Sequence, residues 1–280
     1  MSKRRLPIAS LTSMRRRIAG SWLNEVRRGV RRRRIDRRGG FVVNAAGSRI
    51  YVDSNDPRGQ ALFFSGGVVD VDVVRTWCKL VREIEPTVAL DVGANYGEVM
   101  MSTVMPENCT MLLVEPNPML LGCLSRTFGD QIASGAATLV PAGASDSAGR
   151  ARLYLASHSG LSSVSKPTDL FVEIQLVRLS DIVSFAPEDR VVFKVDVEGH
   201  DVHAIRGMPD MPSIFAGICE AESLSDSDLA DLSTRFSLFA VTRDLAEIPV
   251  RVQPGDTWST IEARLAVPIF KDVVLRPIGS

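Results

Sequence analysis

The sequence predicts an α/β fold in which a mostly parallel β-sheet is covered by helices on both faces. Short apolar runs alternate along the chain with segments of helical periodicity, which is typical of parallel sheets with right-handed crossovers. Two of these runs end in an acidic residue, Asp91 and Glu115. The first run leads into a turn with two glycines, Gly93 and Gly97, which let the backbone approach a neighbouring group closely.

The predicted elements follow in chain order from β-branched runs bounded by turn residues and from helical periodicity. Strands are expected at Phe41–Val43, Arg49–Val52, Val88–Asp91, Thr110–Glu115, Thr138–Pro141, Arg150–Leu155, Phe171–Arg178, Val191–Val195 and Ile214–Glu220. Helices are expected at Val69–Glu85, Gly97–Met105, Pro118–Phe128 and near His200–Met208. The connections include an Asp56-Pro57-Arg58-Gly59 turn and a serine-rich loop from His158 to Ser165.

The composition predicts a soluble globular protein. Of the 280 residues, 45% are hydrophobic and 24% are charged, which suits one large α/β domain with appendages. No apolar run is long enough to span a membrane, and the N-terminus lacks the apolar stretch of a signal peptide, so we expect a cytoplasmic protein. Because the four cysteines lack C-x-x-C spacing, we expect neither disulfides nor a zinc knuckle, and Cys109 and Cys219 are predicted core fillers.

Charge divides the chain into a basic arm, residues 1–40, and an acidic domain, residues 41–280. The arm carries 14 Lys or Arg against Glu25 and Asp36, a charge of +12, so the rest of this neutral chain carries −12. Apolar residues recur in the arm on one helical stripe, at Leu11, Met14, Ile18, Trp22, Val26 and Val30. A basic amphipathic helix suits the anionic face of a membrane; a solvated tail and a nucleic-acid or protein partner are the alternatives.

The glycine turn predicts a cofactor that carries positive charge. Its spacing, Gly93-x-x-x-Gly97 after Asp91, does not meet the G-x-G-x-x-G fingerprint of dinucleotides. A carboxylate at this place would repel a pyrophosphate but suits the amino group and the sulfonium of S-adenosylmethionine. Glu115, at the tip of the next strand, can accept hydrogen bonds from both hydroxyls of a ribose. A tight strand-to-helix turn without a ligand is the alternative.

Polar residues also follow later strands of the predicted sheet. Asp146, after the third core strand, could accept from an adenine amino group or form part of a turn. Asp196 and Glu198 alternate in an extended segment and so face the same side, and His200 and Asp201 follow them. Such a cluster can orient a hydroxyl, act as general base or hold a divalent cation. The alternative is a helix N-terminus, where the helix dipole favours acids.

Four segments together resemble the FkbM-type S-adenosylmethionine-dependent methyltransferases: Asp91–Gly97, Val114–Pro118, Ala144–Asp146 and Phe193–His200. Their order and spacing agree with that family from about Val52 to Pro249, and the Leu179–Ile182 segment is similar as well. The basic arm lies outside the resemblance. Asp201 stands where members often carry Glu, so this chain has a shorter acid there.

The resemblance implies a class I methyltransferase fold, which is Rossmann-like, over 41–280, with a cofactor-binding core at about 86–245. It also implies O-methylation, often of sugar or polyketide hydroxyls. The residues implied to bind S-adenosylmethionine are Asp91, Gly93, Asn95 and Gly97 around its methionine part, Glu115 at the ribose, Pro116 near the adenine and Asp146 at the adenine edge. The residues implied to face the methyl group and the acceptor are Asp196, Glu198 and His200.

These residues lead to a hypothesis about the chemistry. Asp196 or His200 acts as the general base, and Glu198 orients His200 or the substrate. A metal held by Asp196, Glu198 and Glu220 is a less favoured variant. His158 is interpreted as an exposed loop residue.

The expected acceptor is the hydroxyl of a saccharide, glycolipid or polyketide. Peripheral contact of residues 1–38 with the inner membrane surface is one expectation for the arm, beside a solvated tail. Two rival classes stay open. One is a nucleic-acid methyltransferase that uses the basic arm, against which no Asp/Asn-Pro-Pro-Tyr/Phe element occurs in the chain. The other is a non-enzymatic, membrane-associated binding protein on a methyltransferase scaffold.

Overall fold

The structure of the chain, a computed structural model, describes residues 29–156 and 158–279. Within these residues the strands are β1 (Phe41–Val43), β2 (Arg49–Tyr51), β3 (Val88–Val92), β4 (Thr110–Val114), β5 (Ala137–Val140), β6 (Gly143–Ala144), β7 (Gly149–Tyr154), β8 (Phe171–Val177), β9 (Arg190–Val195), β10 (Ile214–Glu220), β11 (Ser237–Thr242), β12 (Glu247–Val250) and β13 (Ile269–Arg276). The helices are α1 (29–37), α2 (Pro57–Ser65), α3 (Val71–Ile84), α4 (Pro118–Thr127), α5 (Gly129–Ala133), α6 (Asp201–Arg206), α7 (Asp226–Arg235) and α8 (Trp258–Leu265).

An eight-stranded sheet organises the domain, in the order β12-β11-β13-β10-β9-β3-β4-β5. The pairs β3–β4, β4–β5, β3–β9 and β9–β10 are parallel, and β13 inserts antiparallel between β10 and β11. The chain runs outward from β3 through β4 to β5 and then returns to β9 on the other side of β3. This reversal opens a crevice at the carboxyl ends of β3 and β9, where open α/β sheets bind ligands.

Helices cover both faces of the sheet, as the sequence predicts. One apolar cluster packs α3 and α4 against Ala89 and Leu113, and the other packs α6, α7 and α8 against Leu90 and Val92. Successive residues of β3 belong to opposite clusters because side chains of a strand point alternately to its two faces. Cys109 and Cys219 are buried, which confirms them as core residues.

The predicted strands all occur, with ends shifted by a residue or two, and the Arg150–Leu155 and Phe171–Arg178 pair is β7 and β8, which run antiparallel. Together with the short β6, they form a separate three-stranded sheet. The serine-rich loop joins β7 to β8 and contains a short 3-10 turn, Ser159–Leu161.

The predicted turn at Asp56–Gly59 is wrong, because these residues begin helix α2. The Asp56 side chain accepts a hydrogen bond from the backbone N–H of Arg58 at 3.2 Å, and Pro57 is the first helical residue. An Asp cap followed by Pro is a helix start as well as a turn signal. A helical spacing of apolar residues would favour the helix over the turn, but this spacing is weak in the nine-residue segment.

The helix predicted over Gly97–Met105 is also wrong. Only Met100–Ser102 form a 3-10 turn, and the backbone is extended at Thr103. Gly97, where the helix is predicted to begin, has φ of 78°, which lies outside the helical region. The buried Asn44 amide donates to the carbonyl oxygen of Met101 at 2.7 Å and so ties this segment to a residue 57 positions earlier.

The apolar stripe predicted in the basic arm lies outside the described residues except for Val30. In α1, Val30 is 63% exposed, whereas Ile35 is fully buried and anchors the helix to the domain. Among the described helices, none has the length and apolar character needed to cross a membrane.

Candidate functional site

A cavity of about 280 Å³ lies at the carboxyl ends of the central strands. It brings together most of the residues that the sequence singles out: Gly93, Asn95, Glu115, Pro116, Asp196, Glu198, His200 and Glu220. Since these residues come from four different strand ends, the parallel sheet itself assembles the site.

Three predicted cofactor residues do not line this cavity. Asp91 is fully buried in β3 beneath it. Gly97 has φ of 78°, and a Cβ there would come within 2.4 Å of the Phe128 ring, so this glycine is needed for packing. Asp146 is partly exposed, with its Oδ2 at 2.7 Å from Nδ1 of His203. Its contact with an adenine edge stays a prediction.

The glycine turn is fixed by its neighbours. The backbone N–H groups of Gly93 and Ala94 both donate to the carbonyl of Val114, at 2.9 and 3.1 Å. Gly93 has φ of 81°, and a Cβ at this position would lie 1.9 Å from the carbonyl oxygen of Asp196. Only glycine tolerates both conditions, so the turn keeps the ends of β3 and β9 in contact.

Glu115 is held rigidly at the tip of β4. Its Oε2 accepts from the N–H of Asn95 and its Oε1 from the N–H of Asn117, both at 2.8 Å. The residue is buried, and burial raises the pKa of its carboxyl to about 7. Each carboxylate oxygen can accept a second hydrogen bond, so the pair of oxygens remains able to bind vicinal hydroxyls.

Lys194, a residue that the sequence reasoning did not single out, lies at the centre of the site. Its Nζ is 3.3 Å from Oδ1 of Asp91, 3.0 Å from the carbonyl of Gly93 and 3.5 Å from Oδ2 of Asp196. Burial alone would lower the pKa of Lys194, but attraction to Asp91 and Asp196 outweighs it and raises the pKa. Lys194 is therefore charged, and it links the ends of β3 and β9.

Arg58 reaches the cavity from α2, which the sequence reasoning interpreted as a turn. Its Nη2 donates to Oε2 of Glu98 at 2.7 Å and to Oδ2 of Asp70. Glu98 is buried and also accepts from the N–H groups of Val69 and Asp70, at 2.6 and 2.9 Å. The Asp56-Pro57 helix start is the sequence signal that could have placed Arg58 on a rigid element.

On the other side of the cavity lie the residues predicted to face the acceptor. Nε2 of His200 is 3.1 Å from Oγ of Ser145, and its ring stacks on His203 with centroids 4.5 Å apart. Burial and the neighbouring His203 lower the pKa of His200, so its imidazole is neutral at pH 7. The Glu198 carboxylate pairs with Lys166 at 2.7 Å. Among the described contacts, it is therefore Ser145, and not Glu198, that orients the His200 ring.

Asp201 does not enter the cavity but shapes the loop beside it. Its Oδ1 accepts from the N–H of Val197 at 3.1 Å and its Oδ2 from the N–H of Gly199 at 3.0 Å. It is almost fully buried, and burial raises its pKa to about 7. The shorter acid at this position therefore clamps the loop that carries Glu198.

The serine-rich loop closes over the cavity. The backbone N–H of Ser159 donates to Oδ1 of Asp56 at 3.2 Å, and the hydroxyl of Ser163 donates to the carbonyl of Glu198 at 2.6 Å. The loop is therefore tied to both sides of the site. His158, interpreted from the sequence as exposed, is half-buried and lines the cavity.

The cavity is acidic. The carboxylates that line it are Asp70, Glu98, Glu115, Asp196, Glu198, Glu220 and Asp272, and the Lys and Arg residues are Arg58, Lys194 and Lys271. Burial raises the pKa of Asp272 to about 8 and that of Glu115 to about 7, so these two acids are only partly ionised at pH 7. The acids that remain still outnumber the three cations, which suits a positively charged ligand better than a pyrophosphate. Over 29–156 and 158–279, no group of three or more His, Cys, Asp or Glu side chains is arranged to hold a metal ion.

Comparison with known proteins identifies the family. The model of the methyltransferase FkbM domain matches residues 91–234, just over half of the chain. The chain belongs to this family. The match begins in β3 and ends in α7, so it contains every predicted site residue and leaves Arg58 outside. The sheet has the class I methyltransferase architecture that the sequence predicts, with β13 inserted between β10 and β11.

Solved structures that the chain is similar to include an FkbM methyltransferase from Methylobacillus flagellatus KT, at 17% identity over 68% of this chain and 44% of that one, with a TM-score of 0.40. A methyltransferase from Geobacter sulfurreducens matches at 14% identity over 74% and 80% of the two chains, with a TM-score of 0.39. An O-methyltransferase from Streptomyces achromogenes involved in tomaymycin synthesis, in complex with SAM, matches at 9% identity over 76% and 83%, with a TM-score of 0.39. The chain therefore spans less than half of the Methylobacillus protein. No curated protein matches the chain significantly.

Proposed function

We propose that this chain is an S-adenosylmethionine-dependent O-methyltransferase that acts on a hydroxyl of a saccharide, glycolipid or polyketide-type acceptor. Methyl transfer follows from the family. The observation that carries the proposal further is the acidic cavity, which joins the Gly93 turn and Glu115 on one side to Asp196 and His200 on the other.

The residues fit the cofactor at both of its ends. Oδ2 of Asp91 is buried and has no hydrogen-bond partner among the described residues, so it can accept from an ammonium. Gly93 and Asn95 have positive φ, 81° and 51°, and both line the cavity. Glu115 offers two fixed oxygens to the ribose hydroxyls. When bound, S-adenosylmethionine supplies a methyl group that is electrophilic because its sulfur is positively charged.

The protein's own contribution is to place the acceptor hydroxyl and to take its proton. Alignment alone can lower a barrier by about 7–11 kcal/mol, and a positioned base adds about 10²–10⁴-fold. The imidazole of His200 is neutral, and its Nε2 contacts the hydroxyl of Ser145. When Nε2 carries the proton and donates it to Ser145, Nδ1 is the nitrogen that can accept a proton from the acceptor hydroxyl. Asp196 is the second candidate base, and its Oδ2 lies 3.5 Å from Nζ of Lys194.

The cofactor is tested by calorimetric titration with S-adenosylmethionine, with NAD as the negative control. We expect S-adenosylmethionine to bind and NAD not to bind. Glu115→Gln should lose at least about tenfold in affinity because the amide nitrogen of Gln cannot accept a hydrogen bond from a ribose hydroxyl. Glu107→Gln, exposed at the opposite end of β4, is the matched control and should bind like the native protein. A native protein that binds neither ligand would point to a non-enzymatic binding protein instead.

The base is tested with Asp196→Asn and His200→Gln in methyl-transfer assays against saccharide and lipid-linked acceptors. The variant that lacks the base should lose about 10²–10⁴-fold in turnover while S-adenosylmethionine affinity is retained. Turnover that is unchanged in both variants would remove the two residues from the mechanism. Equal losses in turnover and in cofactor affinity would assign them to binding instead.

A further inference from the structure

Arg58 lines the cavity and has a buried polar atom, Nε, without a hydrogen-bond partner among the described residues. A buried polar atom without a partner costs about 1–3 kcal/mol, so this unpaired guanidinium N–H requires an explanation. His158 at Nδ1 and Glu220 at Oε2 are the other described cavity-lining residues with such an atom, and of the three side chains only that of Arg58 is a permanent cation.

The Arg58 guanidinium is charged and held in place. Burial alone would lower its pKa, whereas Glu98 and Asp70 raise it. A guanidinium has five N–H donors, and the contacts to Glu98 and Asp70 both use Nη2. The acids therefore fix the side chain and leave its Nε–H and remaining donors for a ligand.

The other cations of the cavity have no such capacity. The three donors of Lys194 face three oxygens, those of Asp91, Gly93 and Asp196. Lys271 is 71% exposed and pairs with Glu222. Arg58 is thus the cavity cation that can receive an anionic group.

We propose that Arg58 binds the α-carboxylate of the cofactor's amino-acid end. Arg binds carboxylates through paired N–H groups, and this carboxylate is the one anionic group of S-adenosylmethionine. The proposal rests on the proposed use of S-adenosylmethionine. Because Arg58 precedes the matched segment 91–234, helix α2 supplies this contact from outside the family domain.

Two ligands separate this contact from the rest of the site. S-adenosylhomocysteine carries the amino-acid end, and 5′-methylthioadenosine has the same adenosine and sulfur without it. The native protein should prefer S-adenosylhomocysteine in calorimetric titration. Arg58→Met should weaken S-adenosylhomocysteine binding by about 10- to 100-fold and leave 5′-methylthioadenosine binding unchanged. Glu115→Gln should weaken both ligands equally, and Arg82→Met, on the exposed side of α3, should weaken neither.

A second measurement uses the native protein and so does not depend on the folding of a variant. Decarboxylated S-adenosylhomocysteine keeps the ammonium and lacks the carboxylate, and it should bind the native protein about 10- to 100-fold more weakly than the parent compound. Arg58→Met should bind the two compounds alike.

The outcomes distinguish this inference from the proposed function. If the native protein binds neither S-adenosylhomocysteine nor 5′-methylthioadenosine, the proposed cofactor is wrong and the inference fails with it. If both bind but the carboxylate makes no difference to the native protein, or Arg58→Met keeps the native preference, Arg58 does not bind the carboxylate. A parallel loss of both ligands in Arg58→Met would also overturn the inference, since Arg58 would then only shape the cavity.

Discussion

Replacement of Gly93 by Ala tests the close approach of β3 and β9 on which the site depends. Gly93 has φ of 81°, and the new Cβ would lie 1.9 Å from the carbonyl oxygen of Asp196 and 2.9 Å from its carbonyl carbon. Cβ contacts under 3.0 Å essentially do not occur, so this carbonyl must move by about 1.1 Å. The atom that must yield belongs to the backbone of a central strand end and not to a flexible side chain.

The cost of the substitution has two parts. A left-handed backbone costs an L-residue about 1–2 kcal/mol. Insertion of a methyl group into packed surroundings costs about 1–3 kcal/mol more. Gly93→Ala should therefore lower the free energy of unfolding by about 2–5 kcal/mol, a large share of the roughly 5–15 kcal/mol that stabilises a domain.

Urea denaturation of three variants separates these parts. Gly135 also has positive φ, 79°, but has no atom within 4 Å of an added Cβ, so Gly135→Ala should lose only the backbone part, about 1–2 kcal/mol. Gly122, inside α4, has open space as well, and Gly122→Ala should be neutral or gain up to about 1 kcal/mol. Among the three, Gly93→Ala alone should also lose affinity for S-adenosylhomocysteine, because Asp196 and the turn move together.

The comparison that refutes this reasoning is between Gly93 and Gly135. If the two Ala variants lose the same stability, the carbonyl of Asp196 does not press on Gly93 and the packing of the two strand ends is looser than described. Retained ligand affinity in a destabilised Gly93→Ala would show instead that the turn does not contact the cofactor.

Three further predictions concern pH, thiols and the arm. Burial raises the folded-state pKa of Asp201 to about 7 from 3.8, so its contribution to stability is complete below the unfolded pKa and is lost as pH rises through the folded pKa. Asp201→Asn should remove this loss of stability, so the urea midpoint should fall less between about pH 5 and about pH 8 in the variant than in the native protein. An equal fall in both proteins would contradict the raised pKa of Asp201. Burial raises the pKa of Cys109 to about 11 and that of Cys219 well above its usual value. A thiol reagent should therefore label Cys78 in the native protein before it labels Cys109 or Cys219, which mass spectrometry can follow. Early labelling of Cys219 would contradict its place in the core. Deletion of 1–38 should abolish cosedimentation with anionic vesicles, whereas unchanged cosedimentation would contradict the expected membrane contact of the arm.

The order of the core elements could be predicted from the sequence because the signals for it are local. The β10 strand has its predicted ends, Ile214–Glu220, since a short apolar run bounded by turn residues defines it. The acids at the ends of β3 and β4 and the glycine turn were also found, because strand ends of a parallel sheet meet at one edge. The helix predicted from Gly97 does not form, because Gly97 adopts a left-handed backbone that its packing against Phe128 requires.

The sequence by itself determined the α/β class, the family, and the strand ends at which the site forms, because periodicity and turn chemistry act between residues close in the chain. Only the tertiary structure decided which side chains meet there. Arg58 reaches Glu98 across 40 positions, Ser145 reaches His200 across 55, and Lys194 reaches Gly93 across 101. Such contacts depend on how crossovers place separate elements, and a few tenths of an ångström separate a hydrogen bond from a clash, which no local pattern encodes.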